Sequence, residues 1–279
     1  MRALIKRTIR LLKRLYRCIA DKLLRRKMPT LTERFTAFCT QLTNAEPIDS
    51  ITLTAEEEAR REAQNLRKAD YFFEKRTIIC EIKTLEIDTA GKLVEVMTKA
   101  GLHPETLTKG EHVIEALFTK IPKGSKLFGR AVKLLMTPLI NDFNSAVKQI
   151  RDSKILFDIP DADGLLIILN DAVPISGPPM VYKRLKRRLM KHDGKGEPFH
   201  KDINRVFYVG ETHAIETPQG DQRVNITLPN PHAPEHHGVE AFVVKLAEQW
   251  AAYNNMPFTK AGAEVEELLE KSRLFVKVE

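Results

Sequence analysis

The chain has 279 residues and a mass of 31.8 kDa, with 43% hydrophobic and 29% charged residues, enough to bury one large or two small cores and too apolar for a disordered or fibrous protein. No stretch approaches the roughly 18 uninterrupted apolar residues of a membrane-spanning helix, and three scattered cysteines (Cys18, Cys39, Cys80) cannot form a disulfide framework, so a reduced, cytoplasmic compartment is expected. The net charge of +8 is unevenly placed: residues 1–27 carry eleven basic side chains against one acid, Asp21, which makes this arm +10 and leaves the rest nearly neutral at −2.

Within the arm, Ile5, Ile9, Leu12, Tyr16, Ile19 and Leu23 recur at spacings of four and three, which predicts a basic amphipathic helix over residues 1–28, ended by Pro29. Its apolar runs are too short for a secretory signal. Such a helix suits an anionic membrane surface, the phosphates of nucleic acid or an organelle transit peptide. Its stripe equally suits packing on its own body or on a second copy in a homodimer. The expected location is therefore cytoplasmic, free or peripheral to a membrane.

Residues 29–279 read as one mixed domain. Thr54, followed by acids, caps a helix predicted over 54–68. Ala69 to Phe73 and Thr77 to Leu85 are β-rich runs joined by Glu74-Lys75-Arg76, the pattern of a hairpin. Residues 86–141 hold short helical patterns broken by glycines and prolines, and a stronger helix is expected over 140–153. The run DGLLIIL from Asp163 predicts a buried strand. A basic helix over 180–191, a strand over 205–209, a His- and Pro-rich loop over 229–238 and a helix over 239–253 follow. The fold class is α/β: a mixed central sheet flanked by helices, with a helical insertion and the basic N-terminal helix.

The chemistry concentrates between Asp70 and Lys83. Along a strand the side chains alternate, so Ile79, Glu81 and Lys83 share one face and Ile78, Cys80 and Ile82 the other. A carboxylate and an ammonium inside an otherwise apolar run cost several kcal/mol each unless paired or metal-bound. Asp70, on the neighbouring strand, supplies a second carboxylate. Two such groups make a hard oxygen site for Mg²⁺ or Mn²⁺, and a lysine beside it stabilises an attacking hydroxide, an arrangement suited to phosphodiester hydrolysis. The alternative is a plain Glu81–Lys83 ion pair with Asp70 capping a turn.

With Asp70 at the start of one strand and Glu81-Ile82-Lys83 on the next, the chain resembles the PD-(D/E)xK nuclease superfamily. Its restriction endonuclease-like core runs helix, three strands, helix, strand. Ala69-Asp70 stands where that family has Pro-Asp, and the resemblance covers about residues 54–170. It implies that Asp70, Glu81 and the carbonyl of Ile82 hold the ion and that Lys83 acts on the water. It also implies an acid from the preceding helix, for which Glu58 and Glu62 are the candidates with Glu57 behind them, and a contact from Gln149 on the helix after the triplet. The 56 residues of 86–141 would then be a long insertion, with Lys120, Lys123, Lys126, Arg130 and Lys133 as a phosphate-facing edge.

Two other features compete for attention. The segment 183–191 (KRLKRRLMK) offers six basic groups for a second nucleic acid contact, or simply for solubility. His232, His236 and His237 suggest zinc only weakly, since no cysteine lies near and the prolines fit an exposed loop. The sequence therefore points to a metal-dependent nuclease acting on DNA rather than RNA. One rival is an inactive nuclease-like protein that works as a membrane-surface or partner-binding module through its basic helix, and a second is a nucleic acid binding module that uses the same basic surfaces without cleavage.

Overall fold

The computed structural model describes residues 29–86, 90–99, 101, 110–113, 124–170, 173, 177–217, 220–233, 235–260, 263–271 and 275–278. The predicted basic helix over 1–28 lies outside these residues, as do Lys120 and Lys123.

The fold is a mixed six-stranded sheet with helices on both faces. Its strands are β1 (Ala45–Pro47), β2 (Tyr71–Phe73), β3 (Ile78–Thr84), β5 (Asp163–Asn170), β6 (Arg205–Thr217) and β7 (Gly220–Pro229), side by side in that order. β1, β2 and β3 run antiparallel in turn, β5 is parallel to β3 and to β6, and β7 returns antiparallel. A separate two-stranded ribbon pairs β4 (Gly110–Val113) with β8 (Phe275–Val278).

Alternation along each strand sends side chains into two cores. One face carries Tyr71, Phe73, Ile78, Cys80, Leu165 and Ile167 against α1 (Leu31–Gln41) and α6 (Val239–Tyr253), with Phe35, Phe38 and Trp250 at its centre. The other carries Phe72, Ile79, Leu166 and Ile168 against α4 (Gly124–Leu156) and α5 (Pro178–Leu189). Each fully buried Leu, Ile or Phe in these layers contributes on the order of 1.5–3 kcal/mol. β5 is buried along its whole length, as its apolar run predicts for a central strand covered on both faces.

Thr54 caps α2 (Ala55–Gln64) as expected. Its hydroxyl accepts from the Glu57 N–H while the Glu57 carboxylate accepts from the Thr54 N–H at 2.7 Å, a closed capping box. The hairpin also forms as expected. Glu74, Lys75 and Arg76 all adopt positive φ, and the Thr77 hydroxyl closes the turn on the Glu74 carbonyl at 2.8 Å.

Several elements differ from the sequence expectation. α1 and β1 precede residue 54, so the sheet begins earlier than the span 54–170 suggests. β1 is only three residues long, too short for alternation to show. The helix expected over 140–153 is the C-terminal part of the 33-residue α4, which runs through Pro138 although that residue has no N–H for the Leu134 carbonyl. The strand expected over 205–209 extends to Thr217 and pairs with β7, a partner the turn signals do not announce. Within 86–141 the structure has α3 (Ala90–Lys99), β4 and the first turns of α4, where Lys126, Arg130 and Lys133 are exposed.

Candidate active site

Glu81 sits in the middle of β3, on the α4 side of the sheet, and is 1% exposed. One step past the last paired residues of the hairpin, Tyr71 and Cys80, Asp70 faces Glu81 across the gap. The ladder ends at Tyr71, so the Ile82 N–H has no backbone partner on that side. Asp70 Oδ2 accepts it instead at 2.7 Å. A strand residue's N–H and C=O leave on the same edge, so the Ile82 carbonyl emerges on the Asp70 side as well.

Burial pushes the Glu81 carboxyl up to about 7, and the nearby Asp70 charge adds to the effect. Lys83 and Gln149 oppose it. Burial also raises Asp70, against the pull of the Ile82 N–H and Lys83, and Asp49 in the 3-10 turn Ile48–Ser50 adds a further push. That turn is held beside the site because the Ile48 N–H donates to the Asp70 carbonyl at 2.9 Å.

Lys83 Nζ lies 2.5 Å from Glu81 Oε1 and donates to Gln149 Oε1 at 2.8 Å. Gln149 Oε1 also accepts from the Ser145 hydroxyl at 3.0 Å, and its Nε2 donates to the Lys68 carbonyl at 3.1 Å. The next polar groups of α4 continue this grip. Asp152 Oδ2 accepts the Arg67 N–H at 3.2 Å, and the buried Ser153 hydroxyl accepts the Ala69 N–H at 2.8 Å. Three successive residues leading into Asp70 are thus pinned to one helix face, which places the carboxylate.

The fit to a hard cation rests on one observation. Glu81 Oε2 is buried and has no hydrogen-bond partner among the described residues. Such an atom is costly unless a ligand completes it. Among the described residues no group of three or more His, Cys, Asp or Glu side chains is placed to hold a metal. The protein would therefore offer two carboxylates and one carbonyl and leave the other positions to water, as Mg²⁺ commonly has it.

The structure brings together Asp70, Glu81, Ile82, Lys83 and Gln149. It does not bring in Glu58, which is half-exposed on α2 and pairs with Arg61 one turn on. Glu57 is engaged in its capping box, and Glu62 is exposed. Cys80 lies in the core on the opposite face. His236 and His237 donate their backbone N–H groups to the buried Asp163 at 2.9 and 2.8 Å, so that loop is anchored by its main chain.

Sequence reasoning overlooked Asp142, Ser145, Asp152 and Ser153. Asp142 is half-buried and raised by that burial, with Lys83 opposing. The signal was present: in INDFNSAVKQIRDS, Asp142, Ser145, Gln149 and Asp152 recur at spacings of three, four and three, a polar stripe on a helix whose neighbouring face is apolar.

Comparison with protein-family models, with characterised proteins and with solved structures finds no match to this chain. Among the described residues no helix is long and apolar enough to cross a membrane.

Proposed function

We propose that this chain is a metal-dependent nuclease of the PD-(D/E)xK type that hydrolyses phosphodiester bonds, in DNA rather than RNA. The observation that carries the reading is the buried Glu81 carboxylate, opposed by Asp70 and tied through Lys83 to Gln149. The element order supports it: α1, β1, β2, β3, α4 and β5 follow the helix, three strands, helix, strand of a restriction endonuclease-like core, with α2, α3 and β4 inserted.

In this reading Asp70, Glu81 and the Ile82 carbonyl would hold Mg²⁺ or Mn²⁺. When bound, the ion would neutralise a non-bridging phosphate oxygen and make a hydroxide available near neutral pH. To hold such an ion, Glu81 would have to give up the proton that burial favours. Lys83 supplies a fixed positive charge beside the attacking oxygen. Gln149 aims the Lys83 ammonium and at the same time holds the Lys68 carbonyl, so it acts as a positioning residue. Glu58 has no part in this scheme.

Calorimetric titration of Mn²⁺ into the metal-free chain tests the reading, with Asp70→Asn and Glu81→Gln alongside and cleavage of supercoiled plasmid measured on the same preparations. Ion binding lost in both variants, with cleavage that needs the ion, is the expected result. Unchanged binding heats, or no cleavage in the parent at any Mn²⁺ concentration, would assign the chain to the other class, a nuclease-like scaffold acting through its basic arm.

A further inference from the structure

The cations of α5 divide into two sets. Lys186 faces α7 (Ala263–Lys271) and pairs with Glu266 and Glu270. Arg184 and Arg188 lie one turn apart toward the other side, where Arg188 donates to the side-chain Oδ1 of Asn144 on α4 at 2.6 Å. Neither arginine pairs with a carboxylate among the described residues, and the Nε of each is buried without a hydrogen-bond partner. Two like charges at this spacing repel each other on a helix. Burial and the Arg184 charge pull the Arg188 guanidinium below its ordinary value.

Past the end of α5, where the Lys191 N–H donates to the Arg188 carbonyl, the chain exposes apolar surface. Phe199 is 49% and Met190 47% exposed, and Lys191 lies over the Phe199 ring at 4.7 Å. Behind Phe199, the buried His200 has no partner on either ring nitrogen among the described residues. Burial, Arg188 and Lys191 push it down to about 4, so it adds no charge of its own at neutral pH. The adjacent Asp193 is engaged within its own turn, accepting the N–H groups of Lys195 and Glu197.

We infer that this surface binds a single strand of nucleic acid, with a backbone phosphate held between Arg184 and Arg188 and an unpaired base stacked on Phe199. Guanidinium donors without a carboxylate among the described residues call for an anion with fixed oxygens, and phosphate is the anion they fit in pairs. An exposed aromatic ring beside cations adds a stacking platform that a free base can use and a base within a duplex cannot. Two half-buried arginines one turn apart favour a discrete phosphate over the diffuse charge of a lipid surface. The surface would deliver a strand to the nuclease site, and in its purpose it rests on that reading. Binding itself is measured in EDTA, so that failure of cleavage and failure of the surface are distinguishable.

The test is fluorescence anisotropy of the full chain with a labelled oligothymidylate and a matched duplex in EDTA across a range of salt. Phe199→Ala should weaken single-strand binding about tenfold and leave duplex binding unchanged, while Phe258→Ala, which removes an exposed ring elsewhere, should change neither. Arg184→Gln with Arg188→Gln should weaken the single strand and flatten its salt dependence by about 0.7 log units per log unit, one phosphate's worth. If that double variant fails to fold, Lys191→Gln at an exposed position should lower single-strand affinity in its place. Unchanged oligothymidylate affinity in Phe199→Ala overturns the inference. So does a loss confined to phosphatidylserine vesicles, which would assign the surface to lipid.

Discussion

Asp70 accepts the backbone N–H of Ile82 at 2.7 Å, so a side chain from one strand completes the hydrogen-bond ladder of the next at the point where their backbones part. This bond fixes where the Asp70 carboxylate stands relative to β3, near the buried Glu81. It also makes Asp70 a structural as well as a chemical residue: Asp70→Ala should both disturb the site and loosen the end of β3, whereas Asp70→Asn keeps an acceptor for the N–H.

The raised Glu81 carboxyl gives a pH dependence of stability whose sign is opposite to that of a salt-bridged surface acid. Its folded value, about 7, lies above the ordinary 4.5. The folded chain therefore holds the proton more tightly than the unfolded chain, and stability present at low pH is lost as pH rises between those values. In metal-free buffer the difference in unfolding free energy between parent and Glu81→Gln should change by at most about 1.4 kcal/mol per pH unit across that window. Denaturant melts from pH 4.5 to 7.5 measure it. Equal slopes for the two proteins would show that Glu81 does not carry the titration.

If the proposed nuclease reading holds, Lys83→Ala should lower cleavage by at least about 100-fold while leaving DNA affinity within a few-fold of the parent, because in that reading the ammonium serves the reacting oxygen rather than the grip on the polymer. Turnover and anisotropy on the same preparation separate the two effects. Full activity in the variant would remove Lys83 from the mechanism.

Ser153→Ala leaves the Ala69 N–H buried without an acceptor and should cost about 1–3 kcal/mol of stability. Gln149→Ala should cost less stability and more activity, because it frees Lys83 as well as Lys68. Melting midpoints read against cleavage rates would give the two variants opposite profiles, and a common profile would argue against the division of labour between them.

Gly164, in β5, has no room for a side chain. A methyl group there would stand 1.9 Å from the Asp202 carbonyl oxygen and 3.0 Å from Ile150 Cγ2. Gly164→Ala must displace backbone and should destabilise the fold by about 1–3 kcal/mol. A melting temperature equal to that of the parent would mean that the 200–204 loop yields freely.

Alternation in Ile78–Thr84 was enough to place Glu81 and Lys83 on one face and Cys80 on the other, because a strand's period of two is set by local backbone geometry. The capping box of α2, the hairpin and the buried run of β5 were legible for the same reason: each is decided by residues close together in the chain. The meeting of Asp70 with the Ile82 N–H, the bridge from Lys83 to Gln149 across 66 residues, and the grip of Asp152 and Ser153 on residues 67–69 were decided only by the packing of α4 on β3. The pairing of β1 with β2, across the whole of α2, likewise depends on residues far apart in the chain. The division follows from range: dihedral preference, capping and periodicity act over a few residues and can be read from them. The choice of which buried polar groups satisfy one another is made by the whole chain when its two cores close.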